Sequence, residues 1–224
     1  MSIFNKKTAL GEGFCISGPE LLIKAVCGCG MIPFFESPIP GYSVEEMTPS
    51  DHWFDSETLG PWDWKIDAVQ TGNIAYGKFL WNGKAAFASA DCYRDLLNYR
   101  RSLPKYSLKE SDRQAYEAVC RAGTLTSREL RRICGLKKAQ MDTILTRLQQ
   151  QTLLVIGDFE RVYKGEFLTY EGWQLASFCR PEDLFEYDLD SPYRSPAESR
   201  QRLMEIVLAN APHATQSQID KMLG

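Results

Sequence analysis

The stretch SLKESDRQAYEAVCRAGTLTSRELRRICGLKKAQMDTILTRLQQQTLLVIGDFERVYKGEFLTY, residues 107–170, reads as helix, helix, helix, strand, strand. Ser111 and Gln114 have the spacing of a capping box, in which two side chains satisfy the orphan backbone N–H groups of a helix start, and Gly123 closes the first helix. Thr126 and Glu129 repeat that spacing ahead of Leu130, Ile133 and Cys134, an apolar set at i, i+3 and i+4, and Gly135 ends the second helix. The third runs from about Lys137 to Gln151, with Met141, Ile144, Leu145 and Leu148 as its buried stripe. Leu153–Ile156, a turn at Gly157-Asp158 and Arg161–Tyr163 then predict a short hairpin. Three short helices and a hairpin in this order make a winged helix-turn-helix, an architecture common among DNA-binding domains.

Outward from this unit the pattern changes on both sides. Pro19–Gly28 reads as a helix, Met31–Tyr42 holds three prolines and reads as irregular, and helices are expected near Ser50 and from Gly60-Pro61, with Trp62, Ile66 and Val69 on one buried face. Ile74–Trp81 and Lys84–Ala88 are strand-like runs joined by Asn82-Gly83, which suits the two positive-φ positions of a type I′ turn, so a hairpin is expected near 74–88. Ser89 caps a helix to about Arg101. On the C-terminal side, Ser195-Pro196-Ala197-Glu198 opens a helix over Leu203, Ile206 and Val207; Pro212 stops it, and Thr215–Leu223 forms a last short helix. The expectation is an α+β protein: an N-terminal α+β region over 1–106, a winged helix over 107–178 and a helical extension over 179–224, packed as one compact unit.

With 224 residues, 44% of them hydrophobic and 25% charged, the composition is that of a globular protein with room for one good-sized core. No apolar run is long enough for a membrane span, and the N-terminal Met1–Gly13 has no apolar segment of the kind a signal peptide needs. Seven cysteines, an odd number without a second close pair to complement Cys27 and Cys29, read as reduced small hydrophobes in a cytoplasmic protein. They do not read as a zinc site, and neither a metal nor a small-molecule cofactor is expected. Phosphate-loop, dinucleotide-loop and nucleophile-elbow motifs are absent.

The net charge of −3 conceals an uneven distribution. Residues 1–60 carry three lysines against eight acids, residues 121–164 nine basic residues against four acids, and residues 181–198 one arginine against six acids. A polyanion would therefore meet the middle of the chain. In the third helix, turning the apolar stripe inward leaves Gln140, Thr143, Arg147 and Gln150 on a separate face, with side chains suited to base edges. Arg128, Arg131, Arg132, Lys137 and Lys138 are placed to pair with phosphates, and Arg161 and Lys164 lie on the hairpin. Solvated helix faces have the same appearance, and winged helices also bind proteins; the local charge favours double-stranded DNA.

GPWDWK at 60–65, IAYGKF at 74–79 and YRDLLNYRR at 93–101, with the Gly172-Trp173 to Phe178-Cys179 segment, resemble the AlkZ-related proteins, distant relatives of the winged-helix alkylpurine DNA glycosylases. The resemblance covers about residues 50–185. It implies winged-helix architecture and a DNA partner. The parent enzymes excise alkylated bases with two glutamines that flank one apolar residue in the N-terminal part, and they insert a β-hairpin at the DNA. This chain departs from that pattern. Its first 110 residues contain a single glutamine, Gln70, while Gln149-Gln150-Gln151 and Gln216-Ser217-Gln218 have polar centres and lie elsewhere. A DNA-binding protein without that chemistry is the leading expectation.

Two other readings stay open. The cluster His52, Trp53, Asp55, Trp62, Asp63, Trp64 and Asp67 offers carboxylates beside indole rings, so Asp63 or Asp67 could serve as the acid or base of an active glycosylase. The same residues also fit a helix start and a core, since a carboxylate in a first helical turn is favourable by itself. The third reading is a module whose basic face meets an acidic protein. Trp81, near the tip of the 74–88 hairpin, could also wedge into a groove.

Overall fold

The computed structural model describes residues 13–54, 60–185 and 194–224. Asp55 and residues 186–193 of the acidic run lie outside the described residues, as do the first twelve. The elements are α1 (Pro19–Cys29), β1 (Met31–Pro33), α2 (Val44–Met47), α3 (Asp51–Phe54), α4 (Pro61–Gln70), β2 (Ile74–Gly77), β3 (Ala86–Ser89) and α5 (Ala90–Arg101). There follow α6 (Glu110–Ala122), β4 (Thr124–Thr126), α7 (Ser127–Cys134), α8 (Lys138–Gln150), β5 (Val155–Lys164), β6 (Thr169–Cys179), α9 (Pro181–Leu184), α10 (Pro196–Asn210) and α11 (Gln216–Leu223).

Among the described residues the strands form one antiparallel sheet in the order β1-β3-β2-β5-β6-β4. The join between its two halves is narrow: β2 meets β5 where Tyr76 faces Ile156. Around it, Phe34, Phe79, Phe87, Tyr93, Leu148 and Val155 belong to one continuous core that takes in both halves. The N-terminal hairpin and the three-helix unit are therefore held together by a shared sheet and a shared apolar interior, which is the compact α+β arrangement expected.

Local signals in the sequence hold where the interaction they describe is local. Thr126 with Glu129 and Ser195 with Glu198 form complete capping boxes, and Ser89 caps α5 by accepting the Cys92 N–H. Gly123 and Gly135 end α6 and α7 with positive φ, and Met141, Ile144, Leu145 and Leu148 are all buried. Asn82 and Gly83 have φ of 50° and 63°, as a type I′ turn requires.

Several expectations need correction. The ladder of the first hairpin stops at Gly77 and Ala86, well short of the turn, because Phe79 and Leu80 leave the sheet plane to enter the core. Met31–Pro33, read as irregular, forms an edge strand on β3, where a proline at the strand end removes no ladder bond. Helix α6 starts one residue before Ser111 without a side-chain cap; the Ser111 hydroxyl donates to Asp112 Oδ1 instead. Ile133 is exposed, since the short α7 turns Leu130 and, in part, Cys134 to the core. Gly157-Asp158 is a bulge inside β5, and the chain turns at Gly165–Leu168. Gly157 is there because its α-carbon faces Cys179: an added Cβ would lie 2.5 Å from the thiol sulfur. The hairpin is thus much longer than read, and β6 was not anticipated as a strand over its full length. Finally, Trp62 is 47% exposed and Trp64 takes its place in the core. Helix α4 is buried on most of its circumference, so periodicity alone did not select between them.

Candidate nucleic-acid interface

The cationic residues expected at a DNA surface fall on two elements. On the first, α7 and α8, Arg128, Arg132, Lys137 and Lys138 are exposed, whereas Arg131 is half-buried with its Nε without a hydrogen-bond partner. Gln140 is exposed but uses its Oε1 to accept the Lys137 N–H at 3.0 Å, so it closes the start of α8. Thr143 is exposed and donates its hydroxyl to Ala139 O at 2.9 Å. Arg147 is not available in the same way: its guanidinium is bidentate on Asp112, Nε to Oδ2 at 2.8 Å and Nη2 to Oδ1 at 2.6 Å, which pins α8 to α6.

The C-terminal half of the same face is covered by the turn at residues 81–83. Residues three and four apart share a helix face, so Gln140, Thr143, Thr146 and Gln150 form one stripe. A Cβ on Gly83 would lie 2.7 Å from the Thr146 methyl and 3.4 Å from Gln150 Nε2. Just upstream, buried Gln149 reaches the other way: its Oε1 accepts the Lys78 N–H at 2.9 Å. What stays open on α8 is therefore its N-terminal half, with a cleft at the boundary lined by Asn82, Asp142, Thr143, Thr146, Arg147 and Gln150.

The second element is the β5–β6 hairpin. Arg161 lies over the Tyr170 ring, 5.9 Å from its centroid, and Lys164 over Trp173 at 5.2 Å. Tyr163, Phe167, Leu168 and Trp173 leave an exposed apolar surface around the tip, Phe167 being 90% exposed. The hairpin also packs on α4 through a polar knot. Asp63, 5% exposed, accepts from Tyr170 Oη at 2.5 Å and from Gln174 Nε2 at 3.1 Å. Gln174 also donates to Trp62 O and to Tyr170 Oη, and its Oε1 accepts from Lys65 Nζ at 2.6 Å. Lys65 donates to Trp62 O as well and lies against the rings of Trp62 and Phe159.

Asp63 is thus engaged as an acceptor that ties α4 to β6, while Asp67 on the same helix is half-buried. The roles of Lys65, Tyr170 and Gln174 were missed in the sequence. Tyr170 and Gln174 share a strand face by their even spacing, but their partners are more than 100 positions away in the chain. His52 stacks edge-on against Trp64, and Cys27 and Cys29 are respectively exposed and buried. Among the described residues no group of three or more His, Cys, Asp or Glu side chains is placed to hold a metal ion. Among them, too, no helix is long and apolar enough to cross a membrane.

Burial lowers the Lys65 pKa to about 8, opposed by the Asp63 charge. A lysine whose folded pKa lies below its unfolded value penalises folding while it is charged. The Lys65 contribution to stability is therefore expected to rise between pH 8 and about 10.5, by on the order of 2 kcal/mol, against an opposite trend from the buried thiols of Cys29 and Cys179, which burial pushes up to about 12. Urea unfolding of the wild type and of Lys65→Met across that range checks this. The wild type should have the more positive slope of the two, and equal slopes in both proteins would exclude a Lys65 contribution.

The sheet and its flanking helices define a mixed helix–sheet fold of the kind found in DNA glycosylases of the AlkZ type. The solved structure of Streptomyces sahachiroi DNA glycosylase AlkZ superposes with a TM-score of 0.50 at 12% identity, over 96% of this chain and 61% of AlkZ. This chain thus spans about three-fifths of the length of that protein, and at such identity the likeness is one of fold. A family model described as AlkZ related matches residues 16–224, and the chain belongs to that family. No curated protein matches the sequence.

Proposed function

We propose that the chain binds double-stranded DNA, with residues 107–178 acting as a winged helix and the N-terminal half of α8 entering the major groove. One observation carries this reading. The turn at residues 81–83 covers the C-terminal half of the polar face of α8 and leaves open the half with Lys137, Lys138, Gln140 and Thr143. A recognition helix contacts base edges with its N-terminal residues. Arg128 and Arg132 on α7 would then reach phosphates, Arg131 being less accessible, and Arg161 and Lys164 supply a second cationic surface on the hairpin. The fold relative AlkZ is a DNA glycosylase.

We read the chain as a binder without the glutamine-pair chemistry of the parent enzymes. Gln149 is engaged with Lys78 N and Leu145 O, and Gln151 donates to Ser107 O. Gln218 caps α11, and Gln216 reaches Asp220. A glycosylase reading rests on Asp63, a buried carboxylate next in sequence to the exposed Trp62. It requires free base to be released from an alkylated duplex, and Asp63→Asn to abolish that release.

Fluorescence anisotropy with a labelled duplex of about 20 base pairs tests binding. Micromolar or tighter, salt-sensitive affinity is expected. Lys137→Ala with Lys138→Ala should weaken all sequences alike and reduce the slope of log K against log salt by about 2. Absence of binding at low salt would end the DNA reading and leave a protein partner for the basic face.

A further inference from the structure

The turn that covers α8 carries a feature that the reading above leaves unused. The Trp81 ring is flanked by two ammonium groups from distant segments of the chain: Lys84 Nζ at 4.6 Å and Lys221 Nζ at 5.5 Å from the ring centroid. Lys84 comes from the connection between β2 and β3, Lys221 from the last turn of α11. Both residues are exposed. Neither makes an ion pair among the described residues: Lys84 Nζ reaches the backbone carbonyl of Glu36 at 3.3 Å, and the nearest acid in sequence, Asp220, is paired with Arg200. Two like charges held at one indole repel each other, and an anion between or beside them relieves that repulsion.

Their place relative to α8 is set by the close approach of Gly83 to Thr146 and Gln150. Along a helix rising 1.5 Å per residue, Lys138 and Thr146 are separated by about 12 Å and Lys138 and Gln150 by about 18 Å. The major groove is about 12 Å wide. A helix lying in that groove with Lys137 and Lys138 near one strand would bring the 81–84 turn to the phosphates of the other. Asp142, the acid lining the cleft between them, disfavours phosphate in the cleft itself and directs the contact to the outer lysines.

We propose that Lys84 and Lys221, seated on Trp81, form a second phosphate clamp of the duplex-binding surface, facing the strand opposite the one held by Lys137 and Lys138. The proposal rests on the DNA reading of α8, and the experiment separates the two. Anisotropy is measured with the wild type, with Lys84→Ala/Lys221→Ala and with Lys137→Ala/Lys138→Ala, on the same duplex between about 50 and 200 mM salt. Each lysine pair should lower affinity roughly 60-fold near 0.1 M salt and cut the salt slope by about 2, the loss of two phosphate contacts. If the wild type fails to bind, the DNA reading itself falls. If the wild type binds and the Lys137/Lys138 variant weakens, but Lys84→Ala/Lys221→Ala keeps its full affinity and slope, this clamp is refuted while the helix reading stands. Lys84→Gln/Lys221→Gln, which keeps the aliphatic stems over the indole, should behave like the alanine pair. Retention of wild-type affinity by the glutamine pair would mean that packing, not charge, mattered, and would equally refute the clamp.

Discussion

Replacing Arg100 by methionine is expected to lower folding stability by about 4 kcal/mol, the largest effect of any single substitution considered for this chain. Arg100 ends α5 and is almost wholly buried, and burial lowers its pKa. Its guanidinium donates to three backbone carbonyls: Phe79 O in the β2–β3 connection, Gln150 O at the end of α8 at 2.9 Å, and Leu223 O at the end of α11 through two nitrogens. Each carbonyl sits where a helix or strand has run out of backbone partners. One planar, five-donor group satisfies all of them, and a methionine of similar volume leaves them desolvated and unpaired. Lysine does not substitute, because its donors radiate from one atom. For a chain of this size the loss corresponds to a fall in melting temperature of roughly 8–16 °C. Urea unfolding at fixed pH measures it. A change under about 1 kcal/mol would falsify the view that this arginine holds the three segments together.

The second large effect is expected at Asp112. Its carboxylate is fully buried at the start of α6 and receives both arms of Arg147 and the Ser111 hydroxyl. Asp112→Ala leaves the guanidinium without its partner, a loss of about 3 kcal/mol once the partial exposure of Arg147 is discounted from the cost of breaking a buried pair. Burial alone would raise the Asp112 pKa, but the Arg147 hydrogen bonds, the Ser111 hydroxyl and the Arg147 charge outweigh it, and the net shift is downward. A carboxylate with a depressed folded pKa contributes stability that is complete above its unfolded pKa and disappears as pH falls through the folded value. The difference between wild type and Asp112→Ala should thus be constant near neutrality and shrink below about pH 4. A difference that persists undiminished in acid would mean that the charge of Asp112 is not its source. Because this pair orients α8 on α6, the variant should also weaken duplex binding, although Asp112 itself is buried.

Both sites show where the sequence was legible and where it was not. The caps at Ser89, Thr126, Ser195 and Thr215 are hydrogen bonds closed within three residues, and each is readable from residue type and spacing. The apolar stripe of α8 and the Asn82-Gly83 turn are readable for the same reason: periodicity and positive φ are properties of a short segment. The basic middle of the chain was also legible, and Arg128, Arg132, Lys137 and Lys138 are exposed on and between α7 and α8. Its use of Arg147 was not, because the partner of that residue lies on another helix.

Sequence alone determined the caps at Ser89, Thr126, Ser195 and Thr215, the three-helix order before the hairpin, the AlkZ-related family and the cationic character of α7 and α8. Tertiary structure alone decided the rest. It continued β5 through Gly157, because glycine there lets the strand pass Cys179. It buried Trp64 in place of Trp62, because α4 is enclosed on most sides and only its neighbours choose which ring faces out. It bound Asp63 to Tyr170 and Gln174, and brought Lys84 and Lys221 to one indole, across distances in sequence over which no local pattern operates. Caps and stripes are fixed by bonds and repeats within a turn or two, whereas the surface a helix presents depends on which distant segment covers it.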